Sequence, residues 1–432
     1  MEILQVGVII LSLALLIIFA LRGISIIILA PVASLFVIVL TDMPILETLQ
    51  ESYMKGFIGF AGKFYLIFLF ASMFGKFMED SGAARSIAES ILKVIGKKKQ
   101  LNVILAVVLI SALLTYGGIS VFVVIFAILP IARPLFKELN IPWHIFMGAF
   151  FFGVATFTMT MLPGTPAIQN IIPTQYFDTT PTAAPMVGIA ATISIIIFNI
   201  YYLNRALKKS RDNNEGYVTR GEEEEQTEEL RELPPFWLSI IPPLFLLVTL
   251  NIIKLDIVYT LMLSVVLSMF IFWKYLDNKT HTLNQGALNT VIPIVNTSAD
   301  VGYGTVIAAT AGFAVLSEGL AQIPGSPLIS LYSATSLLAG VTGSASGGLG
   351  IAMEVLADKY IQLGIAPEAI HRIAAIASGG LDALPHNGAV ITALAIAGLT
   401  HRQAYKHIFF TTVLGPTIAA VPALIVAIMF YS

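Results

Sequence analysis

The chain contains a succession of long apolar stretches, and these decide what it can fold into. Several approach the roughly 20 residues that an α-helix needs to cross a bilayer. They are continuous rather than alternating, which excludes an outer-membrane barrel. Only 12% of the 432 residues are charged, about half the usual share of a soluble domain, too few to cover the surface of a soluble fold of this size. The sequence therefore predicts an all-α polytopic membrane protein.

Charge, cysteine content and missing motifs exclude several functional classes. The net charge of −2 argues against a nucleic-acid partner, which would require a basic face. The absence of cysteine excludes disulfides, thiolate metal sites and cysteine nucleophiles. The sequence has no HExxH motif, and its GSASGG run is not a GxSxG nucleophile elbow, which disfavours an intramembrane protease. We therefore predict a protein that is not an enzyme and holds no metal or organic cofactor.

Ten apolar stretches predict crossing helices, and two others predict re-entrant hairpins. The hairpin segments, 101–136 and 328–357, have Gly/Ser-rich centres. If each hairpin returns to the side it entered from, most Lys and Arg residues gather on one face, which the positive-inside rule makes cytoplasmic. We therefore predict a multi-pass protein of the bacterial inner (plasma) membrane with both termini extracytoplasmic. The crossing helices are expected at about 6–20, 24–41, 57–78, 144–173, 185–203, 236–253, 257–275, 300–318, 368–398 and 408–430.

The two halves of the chain repeat the same order of elements: three spans, a Gly/Ser hairpin, a Pro/Gly-broken span and a last intact span. We divide the chain into a first membrane repeat (1–204), a charged cytoplasmic linker (205–234) and a second membrane repeat (235–432). The halves start on opposite sides of the membrane, so the repeats are inverted. Inverted repeats with broken helices near the midplane are typical of secondary transporters.

Four non-helical breaks occupy corresponding positions: TYGGIS (115–120), MLPGTPAIQN (161–170), TGSASGG (342–348) and GGLDALPHNG (379–388). Such backbone must be buried in protein or line a water-filled cavity, and half-helices that begin there direct positive dipole ends toward it. We predict a carboxylate-binding site between the hairpin tips and the broken helices. The alternative is close helix packing through small residues. The candidate substrate-binding residues are Thr115, Tyr116, Gly117, Gly118, Ser120, Gly164, Thr165, Gln169, Asn170, Thr342, Gly343, Ser344, Ser346, Gly347, Gly348 and Asn387.

One pair of ionisable residues in the sequence is a candidate for proton coupling. Asp382 and His386 flank Pro385 in the last break, where ionisable groups are costly and usually functional. We predict that this pair carries the coupling proton, because imidazole titrates near neutral pH. The alternative is a structural pair, which leaves sodium or a proton elsewhere as the driver.

Three further expectations concern charged and titratable residues. No Lys or Arg lies near a break in the sequence, so backbone amides and hydroxyls, rather than an arginine, should hold the carboxylate. The sequence assigns Asp300 and Glu354 no role. The other histidines are expected at span ends or in loops, where they would snorkel or be solvated: His144, His281, His371, His401 and His407.

Three segments resemble the gluconate permease (GntP) family, namely LLTYGGISVFVVIFAILPIARPLF (113–136), TFTMTMLPGTPAIQNIIPTQYF (156–177) and ASGGLDALPHNGAVITALAIAGLTHRQAYKHIF (377–409). The resemblance extends over nearly the whole chain. It implies a symporter that imports small hydroxylated monocarboxylates, such as gluconate-like sugar acids, glycerate, D-serine or 3-hydroxybutyrate, with protons. Through the wider ion transporter superfamily it also implies a scaffold plus a transport domain and a homodimer with an elevator-type mechanism. A shorter hydroxy or keto acid, sodium coupling and an anion channel are the alternatives.

Overall fold

A computed structural model describes residues 2–22, 24–95, 99–119, 121–218, 232–315, 326–385 and 387–431. In these ranges all regular secondary structure is helical, and there is no strand. The first half contains α1 (Glu2–Leu21), α2 (Ile26–Leu40), α3 (Ile45–Asp80), α4 (Ala83–Ile95), α5 (Gln100–Tyr116), α6 (Val121–Glu138), α7 (His144–Val154), α8 (Ile168–Ile171) and α9 (Pro185–Asp212).

In the described residues of the second half the regular structure is helical as well. This half contains α10 (Phe236–Asn251), α11 (Ile257–Phe272), α12 (Lys279–Leu288), α13 (Val291–Ala308), α14 (Pro327–Thr342), α15 (Ala345–Gln362), α16 (Pro367–Ser378), α17 (Gly388–Ile396) and α18 (His401–Tyr431). π-Helical turns occur at Leu49–Met54, Phe157–Met161 and Phe410–Leu414, and 3-10 turns at Ile172–Gln175 and Trp273–Tyr275. The prediction of an all-α protein is confirmed for the residues described.

Among the described residues, five helical segments are long and apolar enough to cross a membrane: Ile45–Asp80, His144–Met161, Pro185–Asp212, Ile257–Tyr275 and His401–Tyr431. Further apolar helices are shorter, at 10–17 residues each. Large apolar side chains on α1, α2, α10 and α11 are exposed on the outside of the protein. So many exposed large apolar side chains require a lipid or protein partner. The chain is accordingly a multi-pass membrane protein.

Both predicted hairpins are helix–turn–helix units in the structure. The first joins α5 to α6 through Gly117 and Gly118, and Gly118 has a φ of +89°. The second joins α14 to α15 through Gly343, whose φ of +61° is readily adopted only by glycine. At Gly348 the two arms of the second hairpin touch, because a Cβ there would collide with the backbone of Ala339. Their return to the same face of the membrane stays a prediction.

Two predicted boundaries are wrong. The span expected at 300–318 is α13, which begins at Val291 and ends at Ala308. The polar run 296–300 lowers the hydropathy of this helix and displaced the prediction, yet its residues from 297 to 300 are buried. The linker expected from residue 205 begins later, because α9 continues to Asp212. Leu203 and Leu207 lie one helical turn apart in the core, and their burial carries the helix past the first charged residues.

The residues that follow α9, from 213 to 217, are held in place by hydrogen bonds. Ser210 Oγ and Asn213 Nδ2 each donate to a carboxylate oxygen of Glu215 at 3.0 Å. These hydrogen bonds, led by that from Asn213, lower the pKa of the Glu215 carboxyl. The N–H of Tyr217 donates to Asn140 Oδ1 at 2.8 Å. The start of the predicted linker therefore packs against the turn between α6 and α7.

Candidate functional site

The tip of the second hairpin is built from glycine and hydroxyl residues. Ser344 is the N-cap of α15, and its Oγ accepts the N–H of Gly347 at 3.1 Å, as capping hydroxyls do. Ser346 Oγ lies 3.4 Å from Ser344 Oγ, and Thr342 Oγ1 donates to the carbonyl oxygens of Leu338 and Ser344. The first N–H groups of a helix have no acceptor within it and carry partial positive charge. This turn therefore offers donors to an anion.

The second break is attached to this tip by Asn387. Its Nδ2 donates to the carbonyl of Gly343 at 2.9 Å, and its Oδ1 accepts the N–H of Val390 at 2.9 Å. The amide therefore connects the hairpin tip to the first turn of α17. Asp382, in the same break, is only 6% exposed, and its Oδ1 has no hydrogen-bond partner. His386 lies outside the described residues, so its pairing with Asp382 stays a prediction.

Helix α13 also faces the second tip. Thr297 Oγ1 lies 3.5 Å from Ser346 Oγ. Asp300 Oδ2 lies 2.7 Å from the position that a Cβ on Gly347 would take. Asp300 is 1% exposed, and its Oδ1 has no hydrogen-bond partner. Sequence reasoning assigned this residue no role. The signal that could have identified it is the run NTSAD (296–300), which is unusually polar for the interior of an apolar helix.

The first hairpin tip packs against the first break. Tyr116 Oη donates to the carbonyl of Pro163 at 3.0 Å. Gly164 has a φ of +83°, and its N–H donates to the carbonyl of Pro181 at 2.9 Å. Asn251 of α10 donates through Nδ2 to the carbonyl of Gly164 at 2.9 Å. The tip, the break and α10 are thus held together by side-chain bonds to backbone carbonyls.

The predicted polar residues of the first break are engaged within it. Thr165 Oγ1 donates to the carbonyl of Thr158 at 2.7 Å. Asn170 Nδ2 donates to the carbonyls of Thr165 and Pro181 at 2.8 and 2.9 Å. Thr165, Asn170 and Gln169 are all buried. The Thr165 hydroxyl and the Asn170 amide therefore shape this loop, and their donor groups are occupied by protein acceptors.

A buried arginine closes the first break in space, although no Lys or Arg lies near that break in the sequence. Arg372 of α16 is 0% exposed. Its Nε donates to the carbonyl of Ala183 at 2.9 Å, Nη1 to Asn170 Oδ1 at 2.8 Å, and Nη2 to the carbonyl of Pro181 at 2.8 Å. Arg372 is 202 residues from Asn170 in the sequence, so distance along the chain concealed the contact.

Two histidines expected at span ends or in loops are buried instead. His371 Nδ1 lies 2.8 Å from Thr179 Oγ1, and its Nε2 lies 3.2 Å from Asn170 Oδ1. His407 Nδ1 lies 3.0 Å from Tyr202 Oη. The expectation is wrong for both because tertiary packing covers them. Every residue of α16 from 369 to 378 is buried, so its polar face is covered by other parts of the protein although the sequence makes it look exposed.

The remaining candidates occupy structural positions around the two tips. Gly117 ends α5 and packs against Pro243 of α10. Thr115 Oγ1 is buried without a hydrogen-bond partner. Ser120 lies outside the described residues. Hydrogen bonds join each tip to the break of its own half, and Thr160 connects the halves by packing on Gly379. In the part of the chain described, no three His, Asp or Glu side chains cluster as metal ligands would.

A half-exposed ion pair lies between α3 and α15. Lys63 Nζ is 3.5 Å from Glu354 Oε2, and each side chain is 41% exposed. Tyr176 Oη donates to the same carboxylate at 2.8 Å, and the ammonium lies 4.2 Å from the centre of the Tyr176 ring. Ionisable residues within membrane spans usually face the bundle interior or a water-filled cavity. Glu354, without a role in the sequence analysis, is thus a partner of Lys63.

Comparisons with known proteins agree on a membrane transporter. The sequence model of the GntP family permeases matches residues 1–430. A Bacillus subtilis protein named "Uncharacterized transporter YxjC" is 37% identical over 453 residues, which cover 94% of this chain and 95% of the relative.

Two solved structures share the fold at low sequence identity. The YdaH transporter of Alcanivorax borkumensis matches with a TM-score of 0.58 at 14% identity, over 89% of this chain and 88% of its own. MtrF of Neisseria gonorrhoeae, described with a class of antimetabolite efflux pumps, matches with a TM-score of 0.54 at 13% identity, over 99% of this chain and 95% of its own. At these identities the likeness shows the fold alone.

Proposed function

The chain belongs to the GntP permease family, and from this membership we propose that it imports small hydroxylated monocarboxylates together with protons, as a secondary active symporter. It is a transporter and not an enzyme. Gluconate-like sugar acids, glycerate and 3-hydroxybutyrate share one carboxylate and at least one hydroxyl. The proposed site must therefore offer donors to an anion and hydrogen-bonding groups to a hydroxyl.

The observation that carries the proposal is the tip of the second hairpin. There α15 begins inside the protein, with the hydroxyls of Ser344 and Ser346 beside its first turn. Helix N-termini are suited to carboxylates, and two hydroxyls can exchange hydrogen bonds with a hydroxylated substrate. Arg372 is a weaker candidate, because its guanidinium already donates to three protein acceptors.

We further propose that a homodimer moves the substrate by an elevator mechanism. The scaffold would contain α1, α2, α10 and α11, and the transport domain both hairpins and both breaks. In support, α1 packs on α2 and α10 on α11, and all four carry exposed apolar side chains. Cysteines engineered in pairs across the boundary should stop transport when crosslinked, without background because the chain has none. Transport at the wild-type rate in the crosslinked protein would refute this mechanism.

Proton coupling through Asp382 and His386 is part of the proposal, with sodium as the alternative ion. Its support is the burial of Asp382 and the free Oδ1 of its carboxylate. A buried carboxylate whose oxygens are not all hydrogen-bonded favours protonation, because burying the neutral form costs less free energy than burying the charged form.

We also propose that both termini lie outside the cytoplasm.

Counterflow in proteoliposomes tests the function. Liposomes preloaded with unlabelled gluconate, glycerate, D-serine, lactate or 3-hydroxybutyrate are diluted into the labelled acid. We expect at least one hydroxy acid to give accelerated uptake of label, and an imposed proton gradient to drive its accumulation. Flux without acceleration by preloading would indicate a channel. No flux of any of these acids would contradict the proposed substrate class.

A further inference from the structure

Asp300 is a buried carboxylate beside the proposed substrate site, and it has no role in the function proposed above. It lies in the middle of α13, is 1% exposed, and has no hydrogen-bond partner for Oδ1. An ionised carboxylate removed from water is costly unless a positive group or several donors face it. The Asp300 carboxyl must therefore either be protonated or lie beside a positively charged group. Its surroundings show which positively charged group is nearest.

That partner is the first turn of α15. Asp300 Oδ2 lies 2.7 Å from the place of a Cβ on Gly347, so any larger residue there would displace the carboxylate. Thr297, one turn earlier in α13, reaches Ser346 Oγ at 3.5 Å. The glycine thus lets an acidic side chain lie against the helix N-terminus that is proposed to bind the substrate. An 18-residue helix such as α15 has a dipole that favours an anion there.

Other titratable groups near Asp300 leave its charge uncompensated. Its electrostatic neighbours are the phenols of Tyr53, from α3, and Tyr303, one turn on in α13. Helix α2, which also packs on α13, has no titratable residue. In α15 the first ionisable side chain is Glu354, about two turns beyond Gly347, and its partner is Lys63. The nearest positive feature is therefore the helix end itself.

We propose that Asp300 takes up a proton when the substrate binds, because its carboxylate and that of the substrate compete for the first turn of α15. Two carboxylates that share a site cannot both stay ionised without a large repulsion. The incoming anion therefore binds the form in which Asp300 is neutral, and release of the proton restores Asp300 to the helix end. By linkage, substrate raises the affinity for the proton as much as the proton raises that for substrate. This inference rests on the proposed function.

The test is the pH dependence of substrate affinity in sodium-free buffer between pH 6 and 9, where hydroxy acids are ionised. Binding of gluconate, glycerate or 3-hydroxybutyrate to purified protein is measured by calorimetry. Over the range in which Asp300 loses its proton, we expect wild-type affinity to fall about tenfold per pH unit. Asp300→Asn is neutral at every pH, so its affinity should fall about tenfold less per pH unit than wild-type affinity does, and any dependence that remains belongs to Asp382 and His386.

Two further variants keep the result unambiguous. Asp300→Ser is also neutral and replaces Asp300→Asn if the latter does not fold. Asp256→Asn removes an exposed carboxylate at the N-cap of α11, where Asn caps equally well, and it should keep the wild-type pH dependence. The proposal is overturned if a folded neutral variant keeps that dependence or binds at no pH, or if wild-type binding needs sodium and ignores pH. If the wild type binds none of the acids, the proposed function itself fails.

Discussion

The first break and the tip of the second hairpin contain the same kinds of small and polar residues but have opposite electrostatics. In the first break a buried arginine, Arg372, meets neutral acceptors on Asn170 and two backbone carbonyls. At the second tip the buried acids Asp300 and Asp382 each retain an oxygen without a partner. The N–H groups of Arg372 already donate to protein acceptors and so stabilise the loop. The unpartnered oxygens of Asp300 and Asp382 can still bind a proton. From this difference we propose a structural role for the first region and the binding role for the second.

Removing Arg372 should have the largest effect on folding. Arg372→Ala removes three buried hydrogen bonds and leaves the Ala183 carbonyl without its donor, whereas the Pro181 carbonyl keeps Asn170 and Gly164 as donors. We expect a loss of about 3–5 kcal/mol in the free energy of unfolding, because a hydrogen bond to a charged group contributes about 1.5–3 kcal/mol. Unfolding in detergent measures it, with Arg205→Ala, an exposed arginine, as the control. Wild-type stability of Arg372→Ala would remove the structural role of the first break.

Neutralising Asp382 should change coupling rather than folding. We expect Asp382→Asn to lose accumulation driven by a proton gradient while keeping substrate exchange, because the carboxylate would no longer carry a proton. His386→Gln should behave alike if the two residues act as a pair. Uptake and exchange in the same proteoliposomes measure both properties. If both variants concentrate substrate as the wild type does, this pair is structural.

Removing one hydroxyl from each region should have smaller effects, on stability in the first break and on binding at the second tip. Thr165→Ala removes a buried bond at 2.7 Å and should lower the free energy of unfolding by about 1–3 kcal/mol. Ser346 has only long contacts, at 3.4 and 3.5 Å, so Ser346→Ala should alter stability by about 0.5 kcal/mol or less. Its binding free energy for the transported acid should instead fall by about 1–3 kcal/mol. The reverse pattern would exchange the roles of the two regions.

Local sequence patterns predicted the hairpins and the breaks because glycine, proline and hydroxyl clusters act within a few residues. The turn at Gly343 and the N-cap at Ser344 follow from such a cluster. The contact of Arg372 with Asn170 spans 202 residues and has no local signature. Asp300 was missed for a similar reason, since its significance depends on Gly347 in another helix. Polarity within α13 also displaced the predicted span, because hydropathy cannot distinguish buried polar residues from exposed ones.

Hydrogen–deuterium exchange with and without a transported hydroxy acid tests the assignment of the two regions most directly. The backbone amides of Ala345 and Ser346 should exchange more slowly when the acid is bound, because its carboxylate accepts hydrogen bonds from the first turn of α15, where the amides of Ser344, Gly347 and Gly348 already have acceptors. Amides at residues 163–172 should exchange at the same rate in both conditions, since that loop is held by Arg372 and Asn170 regardless of ligand. Slower exchange at 163–172 with no change at Ala345 and Ser346 would contradict the account.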